Sequence, residues 1–228
     1  MKLLEAINIT KKYNENIILD SLSFSLNKNE IVSIFGPSGS GKTTLLNIFG
    51  LIDRDYNGQL IINNKDIKKN NTNFLLRRNY IGFIFQFHHL LPEFNIFDNL
   101  ILPLQFSKLS KKEKNNKINF YLDRLGIYNL KYKFPYQVSG GERQRVSIIR
   151  SIINDPKIVI ADEPTGNLDY KNSKDIFDLI TYLKKESSIS FIIATHDKNT
   201  INIADRNFNL INKKIKMIGK KDEWWFFI

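Results

Sequence analysis

The sequence predicts an α/β fold, with a buried parallel sheet, an antiparallel sheet beside it and an inserted set of helices. A short apolar run, Ile31–Phe35, has the composition of a buried strand, and a glycine-rich loop and a stretch with helical spacing follow it. A second apolar run, 158–161, ends in two carboxylates. The order strand, loop, helix is typical of open sheets that bind nucleotides at the carboxyl ends of their strands.

The glycine-rich loop matches the phosphate-loop pattern G-x-x-x-x-G-K-[ST] at every required position. Its residues are Gly36, Pro37, Ser38, Gly39, Ser40, Gly41, Lys42, Thr43 and Thr44. The glycines let several N–H groups and a helix N-terminus point at one anion, while Lys42 adds positive charge on the terminal phosphates. Thr43 can place its hydroxyl on Mg²⁺. A glycine/serine turn with a chance lysine is the alternative, but pattern and flanking context together favour a nucleoside triphosphate site.

The order of the remaining patterns gives the predicted organisation. Alternation and turn signals predict strands in the first part of the chain, at 3–9, 21–26, 59–62 and 80–85. Helices are predicted where cap residues precede helical spacing, at 96–102 after Asn95 and from 111 to 125 after the capping box at Ser110. The last part returns to α/β, with a strand at 158–161, a helix at 171–184, a strand at 190–194 and a hairpin at 208–218.

Length and composition bound the function classes. A chain of 228 residues has room for one sizeable core, so we expect a single domain with a core lobe at about 1–86 and 156–228 and a helical lobe at about 87–155. The sequence has no cysteine, which excludes disulfides and thiolate metal sites. No apolar run approaches the ~18–20 residues that span a bilayer, and the N-terminus lacks a signal pattern, so a cytosolic or peripheral chain is expected.

The chain carries 34 basic and 23 acidic residues, a net charge of +11. Such a charge is typical of proteins that bind nucleic acid or an anionic membrane surface. It is also found in proteins that merely have a solvated, lysine-rich exterior. The lysines are scattered along the chain, and no arginine-rich stretch is interleaved with aromatic residues. The net charge alone therefore does not identify the partner. Because no such stretch is present, we expect no nucleic acid as a partner.

Two further stretches carry candidate chemistry. At the end of the apolar run 158–161, Asp162 would hold Mg²⁺ through water and Glu163 would polarise an attacking water as a general base. A second glycine-bearing loop opens a helix and would present N–H groups to another anion; its residues are Ser139, Gly140, Gly141 and Glu142. Because the first loop already binds the phosphates of one ATP, we expect this second loop to bind the ATP of another subunit.

Taken together, these residues resemble the ATP-binding cassette of ABC transporters over nearly the whole chain. Further members of the motif set are Gln86 at a strand end, Asp169 after the acidic pair, and His196 after the strand at 190–194. The resemblance implies a P-loop NTPase fold with a RecA-like core, an antiparallel β subdomain and an inserted helical subdomain. It also implies that Gln86 contacts Mg²⁺ and ATP, that Asp169 acts in trans, and that His196 is catalytic with Glu163 and Lys42.

An aromatic residue upstream of the phosphate loop stacks on adenine in this family, and Tyr13 is the matching candidate. Its alternative role is packing at a strand end. Two departures are visible: Val138 stands where leucine is usual, and Glu142 stands where glutamine is frequent. The change at Val138 is conservative, and Glu142 resembles a variant found in exporters of lipophilic or lipidated cargo.

Within the family, the stretches 86–94 and 165–169 look most like the ATPases of lipoprotein-releasing exporters. The resemblance implies an ATPase that works as a homodimer on the cytoplasmic face of a bacterial inner membrane. Its partners would be integral membrane subunits of the LolC/LolE kind. Its only small-molecule substrate would be ATP, and its cofactor would be Mg²⁺. The alternatives are a related exporter ATPase (macrolide, peptide or FtsE-like cell-division type) and a soluble cassette ATPase acting on nucleic acid or ribosomes.

Two features have no assigned role. The adjacent His88 and His89 suggest a metal site, but neighbouring residues point in different directions and no partner ligand lies close in sequence. The apolar stretch 87–106 is instead predicted to receive a short helix of a membrane subunit, with packing of the helical lobe as the alternative. The sequence also has an aromatic cluster that is expected to pack on the protein, with a dimer contact or lipid headgroups as the alternatives: Trp224, Trp225, Phe226, Phe227 and Ile228.

Overall fold

The computed structural model describes residues 1–69, 73–166, 168–197 and 199–219. The strands are β1 Lys2–Tyr13, β2 Asn16–Asn27, β3 Ile31–Phe35, β4 Asn57–Ile62, β5 Lys65–Asp66, β6 Ile81–Ile84, β7 Ile158–Asp162, β8 Ser190–Ala194, β9 Arg206–Ile211 and β10 Lys214–Ile218. The helices are α1 Lys42–Phe49, α2 Asn73–Tyr80, α3 Ile96–Ile101, α4 Lys111–Arg124, α5 Gly140–Ile152, α6 Tyr170–Ser187 and α7 Thr200–Ile203. The predicted α/β class is confirmed. The aromatic cluster at 224–228 and Asn167 lie outside the described residues.

The central sheet has six strands in the order β10-β9-β3-β8-β7-β6. All neighbouring pairs are parallel except β9 and β10, which form the predicted hairpin. Every residue of β3, β7 and β8 is buried, because both faces of a parallel sheet are covered and its strands are predominantly apolar. The carboxyl ends of β3, β7 and β8 therefore meet at one edge, where the phosphate loop begins.

The predicted antiparallel sheet is also present, with the strand order β2-β1-β4-β5. It shares one core with the central sheet. Phe24 of β2 stacks on Phe49 of α1 with ring centroids 5.1 Å apart, and meets Phe208 of β9 edge-on at 5.2 Å. These contacts fix the antiparallel sheet against the helix that follows the phosphate loop.

Helices α3, α4 and α5 enclose a separate apolar core between β6 and β7. The predicted caps start two of them: the Asn95 side chain accepts a hydrogen bond from the Asp98 N–H at 2.8 Å, and Ser110 forms a capping box with Glu113. Gly126 adopts φ 68° just after α4, a backbone conformation that glycine reaches without strain. Local capping thus starts α3 and α4 at the residues that the pattern predicted.

Two local predictions were wrong. Tyr80 is the last residue of an unpredicted helix, α2, and the strand expected at 80–85 spans only Ile81–Ile84. Leu76 and Tyr80 of α2 are four residues apart and both pack against the main core, which is the spacing of a helix. The helix expected at 96–102 ends at Ile101, and a 3-10 helix over Leu102–Phe106 follows it directly; Pro103 is tolerated there because it lies in the first turn.

A search of the described residues finds no helix that is both long and apolar enough to cross a membrane.

Replacing Gly82 with alanine is expected to lower the free energy of unfolding by about 1–3 kcal/mol, the usual effect of overpacking. A Cβ at this position of β6 would lie 2.1 Å from the Ser151 carbonyl oxygen of α5, and backbone cannot yield as a flexible side chain can. Gly140→Ala is the matched control, since its Cβ would meet nothing within 4 Å. Urea unfolding of both variants measures the effect, and equal midpoints would contradict this packing argument.

Candidate functional site

The predicted phosphate loop forms the floor of a cleft of about 810 Å³ at the carboxyl edge of the central sheet. The cleft is lined by all nine loop residues and by four residues predicted from other motifs, Gln86, Asp162, Glu163 and His196. Three more lining residues had no signal in the sequence: Ile18, Asn209 and Ile211. Strands far apart in sequence therefore bring the motif residues to one place.

The loop is shaped by close backbone approach. A Cβ at Gly36 would lie 2.6 Å from the Leu210 carbonyl oxygen and 2.7 Å from the Ser40 hydroxyl oxygen. Gly41 adopts φ 101°, in the left-handed region that favours glycine. Lys42 donates to the carbonyl oxygens of Gly36 at 2.7 Å and Pro37 at 3.2 Å, so its ammonium lies over the loop.

This arrangement fits the phosphates of a nucleotide. The Ser40 hydroxyl is buried and has no hydrogen-bond partner among the described residues. The first turn of α1 has neither an acidic residue nor a side-chain cap, so its N–H groups are open to an anion. An unpaired buried hydroxyl, free helix donors and a lysine converge on one side of the loop, which is the donor set that a polyphosphate needs.

The predicted magnesium residues also meet. The Thr43 hydroxyl donates to Asp162 Oδ2 at 2.8 Å. Asp162 is only 6% exposed, and burial raises the pKa of its carboxyl; the neighbouring Glu163 charge acts in the same direction, while the Thr43 hydrogen bond and the Lys42 charge oppose it.

These oxygens, with the nearby Gln86, are hard donors of the kind Mg²⁺ prefers. No group of three or more His, Cys, Asp or Glu within the described part of the chain could hold a metal alone. A Mg²⁺ ion here would take its remaining ligands from water and phosphate oxygens.

Glu163 and His196 form a pair at the ends of β7 and β8. The Glu163 carboxylate accepts a hydrogen bond from the His196 backbone N–H at 3.2 Å, and its Oε2 lies 2.9 Å from His196 Nδ1. The Glu163 backbone has φ 48°, and its N–H donates to the Ala194 carbonyl oxygen at 2.8 Å. The Glu163 side chain is 10% exposed and the His196 side chain 72% exposed. A fixed carboxylate at the cleft wall can accept a proton from a water held there.

The residues predicted to act in trans lie elsewhere. Among the described residues that line the cleft, none comes from the Ser139–Glu142 loop, and Asp169 is also absent. Ser139 and Glu142 form the capping box of α5, and Asp169 caps α6 by accepting the Asn172 N–H at 2.8 Å. This hydrogen bond is the main reason that the pKa of Asp169 lies below its ordinary value.

The two segments predicted to act in trans lie side by side. A Cβ at Gly141 would lie 2.9 Å from the Asn172 side-chain oxygen, so the two loops are adjacent in space. The fold thus groups them on one surface, apart from the lining of their own cleft.

Tyr13 does not line the cleft either. Its side chain is 51% exposed, and its hydroxyl donates to Asp53 Oδ2 at 3.3 Å. It is the last residue of β1, in the hairpin whose second strand contributes Ile18 to the cleft. The adenine contact of Tyr13 stays a prediction.

The backbone of the two adjacent histidines is held by α5. Arg150 donates to the carbonyl oxygens of His88 and His89, both at 2.7 Å. His89 adopts φ 47°, and its ring meets Phe85 edge-on at 5.0 Å. These contacts give the two histidines a structural role beside Gln86.

Comparison with known proteins gives a consistent result. The family model for ABC transporters matches residues 19–166. The lipoprotein-releasing system ATP-binding protein LolD of Rickettsia bellii is 40% identical over 220 residues, 95% of this chain and 98% of that protein. The LolD protein of Cytophaga hutchinsonii is 42% identical over 207 residues, 90% of this chain and 94% of that protein.

Solved structures agree. The dimeric ATP-binding cassette MJ0796 bound to ADP and Pi is similar with a TM-score of 0.86 and 32% identity, over 96% of this chain and 100% of that one. The cassette cbiO1 of Clostridium perfringens, part of an ABC transporter complex, has a TM-score of 0.87 and 27% identity, over 96% of this chain and 88% of that one. With the phosphate loop, Gln86, the Asp162–Glu163 pair and His196 in one cleft, and with this similarity along most of its length, the chain belongs to the ABC transporter family, as an ATP-binding subunit with ATPase activity.

Proposed function

We propose that this chain hydrolyses ATP to power an exporter that releases lipoproteins from the inner membrane toward the outer membrane. The observation that carries the ATPase role is the joining of three motifs in one cleft: Thr43 bonds Asp162, and Glu163 beside it bonds His196. The lipoprotein cargo is supported by the similarity to the LolD proteins, whose names state that role.

In this proposal each side chain has a defined task. Lys42 and the loop N–H groups hold the phosphates, and Thr43, Asp162 and Gln86 would hold Mg²⁺, which supplies charge neutralisation at the phosphate oxygens. Glu163 accepts the proton of the attacking water, and His196 keeps its carboxylate in place.

A second copy of the chain would complete the site. Ser139, Gly140, Gly141, Glu142 and Asp169 are grouped on one surface but do not line their own cleft. The N-terminus of α5 presents N–H donors there, which suits the terminal phosphate of an ATP bound to the other copy. A two-fold axis would make two equal sites, and the similar cassette MJ0796 is dimeric.

The membrane subunits would contact another, larger groove of about 920 Å³. Exposed Phe74 and Phe106 lie on its walls with Phe85, the residue before Gln86. Arg77, Arg78 and Arg150 add positive charge, and no acidic residue of the described chain lines it. A lining that combines apolar and basic side chains fits a short amphipathic segment that carries carboxylates. Membrane subunits bound at this groove would hold the chain at the cytoplasmic face of the inner membrane.

Reversing the charge of this groove should weaken assembly. The double variant Arg77→Glu, Arg78→Glu is expected to lower recovery of the membrane subunits about tenfold, because like charges then face the partner's carboxylates. ATP binding by the isolated chain should stay unchanged. Lys111→Glu, Lys112→Glu is the matched control, with the same charge change at the start of α4. Full recovery with the groove variant would rule out this contact surface.

The decisive experiment for the function is purification of the Glu163→Gln chain with ATP from its native membranes in mild detergent. Two related membrane subunits that arrive with acylated lipoprotein would support the proposal. A single membrane partner without lipoprotein would overturn the cargo and indicate a related exporter. Ribosomal or nucleic-acid material without a membrane protein would overturn the transporter role.

A further inference from the structure

A cluster of one buried lysine and two aspartates connects the end of β1 with the segment after α1. Lys11 is only 3% exposed, and its ammonium lies 2.9 Å from Asp53 Oδ2 and donates to the Asp55 carbonyl oxygen at 2.5 Å. The Asp55 carboxylate accepts from it at 3.2 Å. Burial alone would lower the pKa of Lys11, but the hydrogen bonds and charges of the two aspartates outweigh this and raise it. Since an unpaired buried ammonium is strongly unfavourable, this cluster fixes the position of Asp53.

Tyr13 is attached to the same cluster at two points. Its hydroxyl donates to Asp53 Oδ2 at 3.3 Å, and the Lys11 ammonium lies over its ring, 4.8 Å from the centroid. The side chain nevertheless stays 51% exposed. One face of the ring is therefore directed at a cation, while much of the remaining surface is open to a flat partner such as a base.

The hairpin that carries Tyr13 borders the phosphate loop. Tyr13 pairs with Asn16, and Lys12 pairs with Ile17, one residue before Ile18. Ile18 lines the cleft, and a Cβ at Gly41 would lie 3.0 Å from its Cγ2. A change in the orientation of the hairpin end would therefore move Tyr13 relative to the bound phosphates.

We propose that Asp53, held by Lys11, is a positioning residue for ATP: it fixes the ring of Tyr13 so that adenine stacks on it while the phosphates lie in the loop. This inference rests on the proposed function, because it takes the Tyr13 ring to bind the base. Asp53 contacts the nucleotide only through Tyr13. Its contribution must therefore appear with ligands that carry a base and vanish with ligands that do not.

The test compares the dissociation constants of Mg-ATP and of inorganic tripolyphosphate for the purified full chain. Tyr13→Ala should weaken ATP binding about 5- to 150-fold through loss of stacking. Asp53→Ala should weaken it about 3- to 10-fold, the range for one hydrogen bond, and leave tripolyphosphate unchanged. In the Tyr13→Ala background, Asp53→Ala should change ATP binding by less than about twofold. Asp55→Ala is the matched control, because Asp55 bonds Lys11 but not Tyr13.

Two results would overturn the proposal: an equal loss of tripolyphosphate binding in Asp53→Ala, or the same loss of ATP affinity with and without the Tyr13 ring. If Asp53→Ala does not fold, Tyr13→Phe decides, since it keeps the ring and removes only the hydroxyl; wild-type ATP affinity in that variant would also overturn it. ATP hydrolysis by the unmodified chain is measured in parallel. Absence of ATP hydrolysis would refute the proposed function. If the Asp53 variants alone do not give the expected loss of ATP affinity, the proposed function is unaffected.

Discussion

Replacing Glu163 with glutamine is expected to lower ATP turnover by about 10²- to 10⁴-fold, the range for loss of a general base. The amide oxygen of glutamine can still accept the hydrogen bond that His196 gives to Glu163. The side-chain geometry should therefore survive, but an amide cannot take the proton of the attacking water. ATP affinity should stay unchanged, because none of the hydrogen bonds of the described Glu163 side chain goes to the phosphate loop.

Phosphate release and equilibrium ATP binding, measured on the same preparation, separate these two effects. Glu186→Gln is the matched control, since it makes the same chemical change at an exposed position of α6 and should hydrolyse ATP normally. Normal turnover in Glu163→Gln would show that another group accepts the proton. A parallel loss of ATP affinity would show that Glu163 also shapes the binding cleft.

The other large effect is expected for Lys42→Ala, which should weaken ATP binding about 10- to 150-fold. This range corresponds to the loss of a hydrogen bond to a charged group in a site that is partly shielded from water. Lys42 also donates to the Gly36 and Pro37 carbonyl oxygens, so its removal frees part of the loop as well as one positive charge. Both consequences lower the affinity of the loop for the phosphates of ATP.

Titration with ATP measures this loss, with Lys28→Ala as the matched control at an exposed position before β3. Thermal unfolding without nucleotide shows whether the variant is still folded, because the Lys42 bonds involve only the loop. Unchanged ATP affinity in a folded Lys42→Ala chain would be incompatible with the assigned role of Lys42.

The motif residues could be identified before any geometry was available because their chemistry needs fixed residue types at fixed spacing. The phosphate loop needs glycines where backbone approaches backbone, as Gly36 does at Leu210. Ser110 and Asn95 were identifiable for the same reason, since a cap acts on N–H groups three residues away. Helix α2 was not predicted, because its eight residues span only about two turns and give a short periodic signal. Leu76 and Tyr80, four residues apart, pack against the main core, and a helix this short depends on such tertiary contacts.

The sequence by itself determined the fold class, the order of the motifs and the family they resemble, since each of these depends on short-range patterns. Only the tertiary structure decided which of those residues meet. Thr43 and Asp162 are 119 residues apart and bond directly, and Glu163 meets His196 from a neighbouring strand, because parallel strands deliver their carboxyl ends to one edge. The same folding places the Ser139–Glu142 loop away from its own cleft and ties Tyr13 to Asp53. Pairings of this kind are set by strand order and packing, which no local pattern in the chain specifies.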